Sequence, residues 1–255
     1  MKTAPLLLLV LCALSAWNGC WRETNTTPPR APVQEGHESG SVARPRFTAI
    51  RVDVRTERVE LFLRDDAGRA FNRFDRLRSW LASRNERLLF AMNAGMFRPD
   101  FSPVGLLVQG GREVSPLNLS DGDGNFFLKP NGVFLVSDSG ARIVESTGYP
   151  ALARGVRLAT QSGPLLVRNG VLHPALNAES TSRLLRNGVG VSGETVFFVI
   201  SEQPVNFHEM ATYFRDELHC PNALYLDGVV SGLYSTDLQR NDSTVDLGPI
   251  IGVVQ

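Results

Sequence analysis

The chain has 255 residues, of which 26 are basic and 26 acidic, so its formal net charge is zero. A balanced chain with no basic stripe argues against nucleic acid or an anionic membrane surface as its partner, and it favours a neutral or weakly charged ligand. Without the first 45 residues, one domain remains that is large enough to bury roughly 70% of the surface of its unfolded chain. Such a core folds without needing disulfides or a metal.

The first 19 residues have the organisation of a secretory signal peptide. Lys2 precedes an apolar run at residues 6–13, and small and polar residues follow. The run is too short to span a bilayer as a permanent helix. Because Cys20 follows directly, two outcomes stay open, namely lipidation of Cys20 and simple cleavage after Ser15 or Ala16. We therefore expect an exported protein, either periplasmic or anchored to the envelope membrane as a lipoprotein.

Residues 20–45 are predicted to form a disordered tether. This stretch is rich in Thr, Pro, Gly, Ser and Glu and has almost no apolar residues after residue 23. Such a composition cannot bury enough surface to offset the entropy that is lost on ordering. The sequence thus divides into a signal peptide (1–19), a tether (20–45) and one folded domain (46–255).

The domain begins with short apolar runs that are separated by Gly, Asn, Asp and Pro, a pattern typical of many strands with tight connections. Residues 47–54 and 59–63 alternate apolar and polar side chains, as expected for a half-buried hairpin. Further strands are predicted at residues 88–92, 105–108, 132–136, 164–167, 188–191, 195–200, 223–226 and 250–254.

Two segments have helical periodicity instead. Apolar side chains recur on one face of residues 71–83 and of residues 205–219. Asn206 and Glu209 have the spacing of a helix N-cap with its reciprocal acid. The predicted fold class is therefore α+β, with a strand-rich mixed sheet core and two main amphipathic helices packed on it.

Three apolar runs, at residues 89–92, 157–160 and 224–226, end in polar, glycine-bearing turns. Strand ends with glycine allow a backbone to approach a ligand and polar side chains to converge, although each turn alone is also explained as a simple connection. The candidate substrate-binding residues of these turns are Asn93, Gly95, Gln161, Ser162, Gly163, Gly228 and Ser231.

The candidate catalytic residues are two carboxylates and an arginine. Asp227 and Glu202 each follow an apolar strand, and two carboxylates in one cleft are the minimum for glycoside cleavage. Arg186, helped by Arg183, precedes Asn187 at a glycine-bearing bend, where a guanidinium would favour a phosphodiester over a neutral sugar. Turn caps and solvated loop arginines are the structural alternatives.

The sequence predicts no metal and no cofactor. Residues 121–125 place acidic side chains as a calcium loop does, but Phe126 and Gly132 stand where glycine and glutamate are required, so we interpret the run as a turn. The histidines have no metal-binding spacing, and no nucleotide-binding loop or serine-hydrolase elbow is present. Cys220 is predicted to be a buried structural cysteine.

Four blocks in order resemble the phosphodiester glycosidase family. They are MNAGMF at 92–97, QSGPL at 161–165, RNGVG at 186–190 and LDG at 226–228. The stretches GNFF at 124–127, PNGVF at 130–134 and PVNF at 204–207 are similar to an exported bacterial subgroup of that family. The resemblance covers roughly residues 47–255.

The resemblance implies hydrolysis of a sugar-1-phosphate diester, or of a related glycosidic bond, without a cofactor. It implies that Asn93 and Gly95 are pocket positions, that Arg186 is the anion contact, and that Asp227 is a catalytic or substrate-orienting carboxylate. The expected partner is a carbohydrate or glycosyl-phosphate substrate. Two alternatives stay open: a carbohydrate-binding envelope protein without catalysis, and a glycosidase of ordinary cell-wall or exopolysaccharide bonds.

Overall fold

The structure is a computed structural model that describes residues 46–228, 230–242 and 245–255. The predicted signal peptide (1–19) and the predicted tether (20–45) lie outside the described residues. Among the residues described, no helix is both long and apolar enough to cross a membrane.

The described chain forms three antiparallel sheets, whose strands are numbered here in chain order. The first sheet has the order β1 (Phe47–Asp53), β12 (Thr195–Ser201), β11 (Asn187–Ser192), β13 (Asn222–Asp227), β9 (Leu165–Arg168) and β10 (Val171–Leu172). The second has the order β15 (Arg240–Asn241), β14 (Leu233–Ser235), β3 (Leu88–Asn93), β16 (Ile250–Val254) and β2 (Arg58–Phe62). The third has the order β5 (Arg112–Ser115), β4 (Leu107–Gln109), β8 (Val156–Ser162), β6 (Gly132–Ser137) and β7 (Gly140–Glu145).

One face of each sheet contributes to a common central core. Phe198 of the first sheet lies with its ring centroid 5.1 Å from that of Phe90 in the second sheet and 5.9 Å from that of Phe134 in the third. Because side chains alternate along a strand, the other face of each sheet needs a cover of its own. Separate apolar clusters provide it.

Two helices and one 3-10 segment cover these outer faces. Helix α1 (Phe74–Ala82) packs on the second sheet, and α2 (Phe207–Thr212), which continues as a π-helical turn at Tyr213–Glu217, packs on the first. The 3-10 segment Ser146–Leu152 covers the third sheet. The predicted cap is confirmed, since the Asn206 side chain accepts a bond from the Glu209 N–H and the Glu209 carboxylate accepts one from the Asn206 N–H.

The α+β class is confirmed, but the predicted hairpin at residues 47–63 is wrong. Strand β1 pairs with β12, whereas β2 pairs with β16 in a different sheet. In β2, the buried Val59 and Leu61 alternate with the more exposed Arg58 and Glu60, whereas in β1 only Phe47 and Val52 are buried. Alternation fixes which face of a strand is buried, but it does not identify the partner strand, and both partners here come from far along the chain.

Strands from all three sheets end at one pole of the molecule. β3 of the second sheet ends at Asn93, β8 of the third ends at Ser162, and β13 of the first ends at Asp227 beside the start of β11 at Asn187. Three of the four family-like blocks therefore meet in space at strand ends, and the fourth enters through β11.

Candidate active site

The first and second sheets are joined at this pole by a pair of buried asparagines. The Asn187 side-chain amide donates to the Asn93 side-chain oxygen at 2.8 Å and to the Asn93 backbone oxygen at 3.0 Å, and the Asn93 amide donates back at 3.2 Å. Both side chains are fully buried. Because buried amides without partners are costly, this reciprocal arrangement fixes the second sheet against the first.

The same amides position the loop that follows β13. The Asn187 side-chain oxygen accepts a bond from the Asp227 N–H at 2.9 Å, and the Asn93 side-chain oxygen accepts one from the Gly232 N–H at 3.1 Å. Ser231 closes the turn by donating to the Gly228 carbonyl at 2.9 Å. A Cβ at Gly228 would collide with the Tyr225 hydroxyl, so this position requires glycine.

Gln161 and Ser162 attach the third sheet to the two asparagines. We call these four buried side chains the frame. Gln161 is buried and accepts bonds from the N–H groups of Leu106 and Asn118 at 3.0 and 2.9 Å, while its own amide donates to the Asn118 carbonyl at 2.7 Å. The Ser162 hydroxyl donates to the Leu226 carbonyl at 2.9 Å, next to Asp227. All polar atoms of these two side chains are therefore engaged within the protein.

The two glycines of these blocks allow close backbone approach. A Cβ at Gly163 would lie 2.6 Å from the Phe126 carbonyl oxygen and 2.7 Å from the Asn131 Cβ. Gly95 has a φ of +140°, and a Cβ there would lie 3.1 Å from the Thr160 hydroxyl. Close packing at Gly163 and the positive φ at Gly95 explain why each position favours glycine.

Arg186 is the largest of the fully buried side chains. Its guanidinium donates to the Val205 and Ser182 carbonyls at 2.8 and 3.0 Å and to the Tyr225 hydroxyl at 3.4 Å, and it lies 3.8 Å from the centre of the Phe207 ring. Burial lowers the pKa of Arg186, and no carboxylate of the described residues forms an ion pair with it. The structure therefore places this cation beneath the pole, enclosed by protein.

The other two charged candidates lie beside the frame. Arg183 forms an ion pair with Glu209 at 2.7 Å, which Arg46 also contacts. Glu202 follows β12, the neighbour of β11, and so lies at the same end of the first sheet as Asp227. Its carboxylate accepts bonds from the Thr48 hydroxyl and the Arg240 guanidinium, both at 2.5 Å. Neither residue lines the cleft that contains Asp227.

The cleft at this pole has a volume of about 490 Å³. Asp227 lies in its wall together with Val230, the loop segment 96–99, Val104, and residues 123–127. The larger apolar side chains of the wall are Met96, Phe97, Phe126 and Phe127, and the smaller ones are Pro99, Val104 and Val230. Two other surface clefts, of about 530 and 560 Å³, contain none of the predicted site residues among those described.

Asp227 is a desolvated carboxylate. Burial raises its pKa to about 7, although the N–H groups of Gly228 and Val230 counteract this by hydrogen bonding to the ionised form. The Gly228 bond measures 2.6 Å. No described cation forms an ion pair with Asp227, so its charge has only these N–H groups as compensation. A carboxyl group with this pKa exchanges protons near neutral pH, as an acid or base in catalysis must.

The sequence reasoning missed the aromatic wall and Arg98, which also lies in it. Met96 and Phe97 belong to the MNAGMF block, and Phe126 and Phe127 belong to the GNFF stretch. The segments that resemble the family therefore contained these residues, although they were not predicted to form the cleft. Aromatic residues near strand ends are more often core residues, and Phe126 is indeed buried. Of the predicted set, the structure gathers Asn93, Gln161, Ser162, Arg186, Asn187 and Asp227 at one pole, yet only Asp227 of these lines the cleft.

Within the described ranges, no group of three or more His, Cys, Asp and Glu residues lies close enough to hold a metal ion. Cys220 is buried, and its burial raises the pKa of the thiol to about 12. Its sulfur packs against Gly190, where a Cβ would lie 2.7 Å from it. This is the environment of a structural cysteine, since a thiol with so high a pKa is not a nucleophile near neutral pH.

Comparison with known sequences identifies the family of this chain. Residues 86–251 match the family model described as phosphodiester glycosidase. The chain belongs to the phosphodiester glycosidase family. It is 35% identical over 188 residues to the uncharacterized protein YigE of Escherichia coli (strain K12), a match that covers 73% of each chain.

Two solved structures share the fold. The zebrafish N-acetylglucosamine-1-phosphodiester alpha-N-acetylglucosaminidase catalytic domain, auto-inhibited by its pro-peptide, matches with a TM-score of 0.55 and 14% identity over 83% of this chain and 84% of that one. A hypothetical protein from Synechocystis matches with a TM-score of 0.51 and 14% identity over 82% of this chain and 59% of that one. At this identity, the likeness concerns the fold.

Proposed function

We propose that the protein is a hydrolase that releases a sugar from a glycosyl phosphodiester. The observation that carries this proposal is the Asp227 carboxyl group, which lies in an aromatic cleft with a pKa raised to about 7. Membership of the phosphodiester glycosidase family supports the reaction class. The zebrafish enzyme with the same fold acts, by its name, on N-acetylglucosamine-1-phosphodiesters, which makes these the first substrates to test.

In the reaction that we propose, the bond between the anomeric carbon and the phosphate oxygen breaks as water or Asp227 attacks that carbon. The phosphomonoester leaves with the bonding electron pair. Since a phosphate is already a good leaving group, the reaction needs little proton donation at the departing oxygen. As general base, the ionised Asp227 carboxylate takes a proton from the attacking water; as nucleophile, it forms a glycosyl ester that a water molecule then hydrolyses to release the sugar. Both roles need the carboxylate deprotonated.

The aromatic wall supports a sugar as the bound group. Aromatic side chains present a large, rigid apolar face, and sugar rings have an apolar face of C–H groups that packs against it. Phe97 and Phe127 are partly exposed, whereas Phe126 is buried beneath the wall. Asn125 in the same wall offers polar groups for sugar hydroxyls.

Glu202 is the weaker candidate for the chemical step. Its carboxylate is bonded to Arg240 and Thr48, and Arg240 in turn forms an ion pair with Asp242 at 2.8 Å. This carboxylate is therefore already engaged by protein donors, and it does not line the cleft that contains Asp227. We propose that Glu202 supports the sheet edge, while Asp227 alone reacts.

A second candidate function is cleavage of ordinary glycosidic bonds. The raised pKa of Asp227 favours it too, because a general acid must be protonated near the working pH. In that case activity falls as the pH rises through about 7, whereas the phosphodiester reaction that needs the carboxylate becomes faster.

We also propose that the protein works outside the cytoplasm on envelope or exported glycan material. The support is the sequence of residues 1–20, with its basic start, apolar run and Cys20. Growth of a bacterial host with labelled palmitate, followed by fractionation, tests this. Label on the wild-type chain but not on Cys20→Ser identifies a lipoprotein, while an unlabelled full-length chain in the cytoplasm contradicts export.

The test of function is a substrate screen with the domain from Arg46 onward. Sugar-1-phosphate diesters, led by N-acetylglucosamine, and neutral aryl glycosides of the same sugars are assayed for released sugar. We expect release from a phosphodiester by the wild type and by Glu202→Gln, and none above background by Asp227→Asn. Binding of the sugars without release from any substrate would support the non-catalytic alternative instead.

A further inference from the structure

An enzyme that binds a phosphodiester needs a positive group where the phosphate lies. Arg186 and Arg183 were the expected contacts, but Arg186 is enclosed by protein and Arg183 is paired with Glu209 away from the cleft. Among the described residues of the cleft wall, Arg98 is the only cation. It belongs to the loop that follows the MNAGMF block.

The loop that carries Arg98 is internally fixed. The Arg98 N–H donates to the Ser102 carbonyl and the Phe101 N–H donates to the Arg98 carbonyl, both at 2.8 Å. The Arg98 guanidinium donates to the carbonyls of Pro103 and Val104, the latter at 3.4 Å. These two bonds use one N–H on each terminal nitrogen, and the remaining guanidinium N–H groups can donate to a ligand. The side chain is thus positioned before any ligand binds.

Arg98 has no carboxylate partner among the described ion pairs. The acid on its own loop, Asp100, is bonded mainly to the Ser102 hydroxyl and N–H, and Arg98 has the smallest of the effects that lower its pKa. Arg98 is exposed, so water screens its charge in the free protein. A bound substrate that displaces this water would strengthen the attraction between the guanidinium and an anion.

The negative charge of the cleft is a second reason to expect that a cation binds the phosphate. Asp227 and Asp123 both lie in the wall, and ionised carboxylates repel a phosphodiester. An arginine is suited to offset this repulsion, since its planar guanidinium can bind two phosphate oxygens at once.

We propose that Arg98 binds the substrate's phosphate and makes the cleft select anionic glycosyl phosphodiesters over neutral glycosides. The proposal rests on the proposed function, because it assigns the phosphate half of that substrate. It places the phosphate on the side of the cleft formed by the loop 96–104, with the anomeric carbon toward Asp227. Arg186 then acts in folding, beneath the site.

The first test compares Arg98→Gln, Arg98→Lys and Arg183→Gln on a phosphodiester and on a neutral aryl glycoside of the same sugar. For Arg98→Gln we expect kcat/KM on the phosphodiester to fall roughly 10- to 100-fold, while that on the neutral glycoside changes less than about twofold. Arg98→Lys should recover part of the loss, and Arg183→Gln should resemble the wild type. An equal loss on both substrates would mean that Arg98 only supports its loop, and it would overturn the proposal.

A second measurement separates failure of this proposal from failure of the proposed function. Inorganic phosphate is titrated into each variant by isothermal calorimetry, which needs no turnover. Weaker phosphate binding by Arg98→Gln than by Arg183→Gln supports the Arg98 site even if no substrate is cleaved. Equal phosphate affinity in wild type and Arg98→Gln contradicts the site, whatever the substrate screen shows.

Discussion

The buried frame and the cleft wall at the same pole are built from different kinds of residue. In the frame, Asn93, Asn187 and Gln161 are fully buried and their amides are bonded to other protein groups. In the wall, Asp227 and Arg98 have no carboxylate–cation partner among the described residues. Satisfied polar groups stabilise a fold, whereas groups without full compensation are available to a substrate. The comparison separates the residues that define the blocks from those that we expect to react.

The largest expected effect is on catalysis, and it tests the wall. Asp227→Asn keeps the side-chain oxygen that accepts the Gly228 N–H but removes the ionisable group. We expect the rate on a phosphodiester to fall about 10²- to 10⁴-fold, as for loss of a general base. Asp123→Asn is the matched control, because it changes an exposed carboxylate in the same cleft. A similar loss in both variants would show a charge effect of the whole cleft instead of a role for Asp227.

A second prediction tests the frame. Asn187→Ala removes the partner of the buried Asn93 amide and of the Asp227 N–H. We expect the free energy of unfolding, measured by urea denaturation, to fall by about 2–4 kcal/mol. The exposed Asn177→Ala should change it by about 0.5 kcal/mol or less.

The frame variant also has an expected activity. Because Asn187 positions Asp227 through the backbone, the folded fraction of Asn187→Ala should keep more activity than Asp227→Asn. Turnover is measured at low temperature, where the variant is folded, with circular dichroism as the check. If it were as inactive as Asp227→Asn while unchanged in stability, Asn187 would belong to the reacting groups.

The smallest effect is a dependence of stability on pH. The pKa of Asp227 is about 7 in the folded protein, against roughly 3.9 in an unfolded chain. Between these values the folded state binds more protons, so the stability that Asp227 contributes is complete below about pH 4 and is lost as the pH rises through 7. Relative to Asp227→Asn, the wild type should lose roughly 1–3 kcal/mol of unfolding free energy between pH 4 and pH 8. Parallel urea midpoints for both proteins across this range would contradict the raised pKa.

Much of the fold followed from local patterns. The strand at residues 250–254, the capped helix after Asn206 and the strand ends at Asn93 and Asp227 were predictable, because alternation, capping and turn residues act over a few positions. The pairing of β1 and β2 was not, since it depends on strands far along the chain. The number of sheets and the pairing of the strands depend on how the whole core packs.

The sequence predicted where the site lies, but it did not predict which of its residues are buried and which line the cleft. The blocks identified which loops meet, yet arginines are usually solvated, so the burial of Arg186 beneath Phe207 and Tyr225 had no local signal. Arg98 was not predicted as a site residue, because solvated arginines are common in loops and nothing in the sequence distinguishes this one. Only the folded structure shows that Arg98 lines the cleft and that Arg186 does not.

The pH dependence of kcat/KM on a glycosyl phosphodiester tests most directly whether the unpaired carboxylate of the wall performs the reaction. If Asp227 reacts in its ionised form, the wild-type value rises with pH and levels off above an apparent pKa near 7. A value that is constant between pH 5 and pH 9, or one that falls through 7, would contradict that assignment.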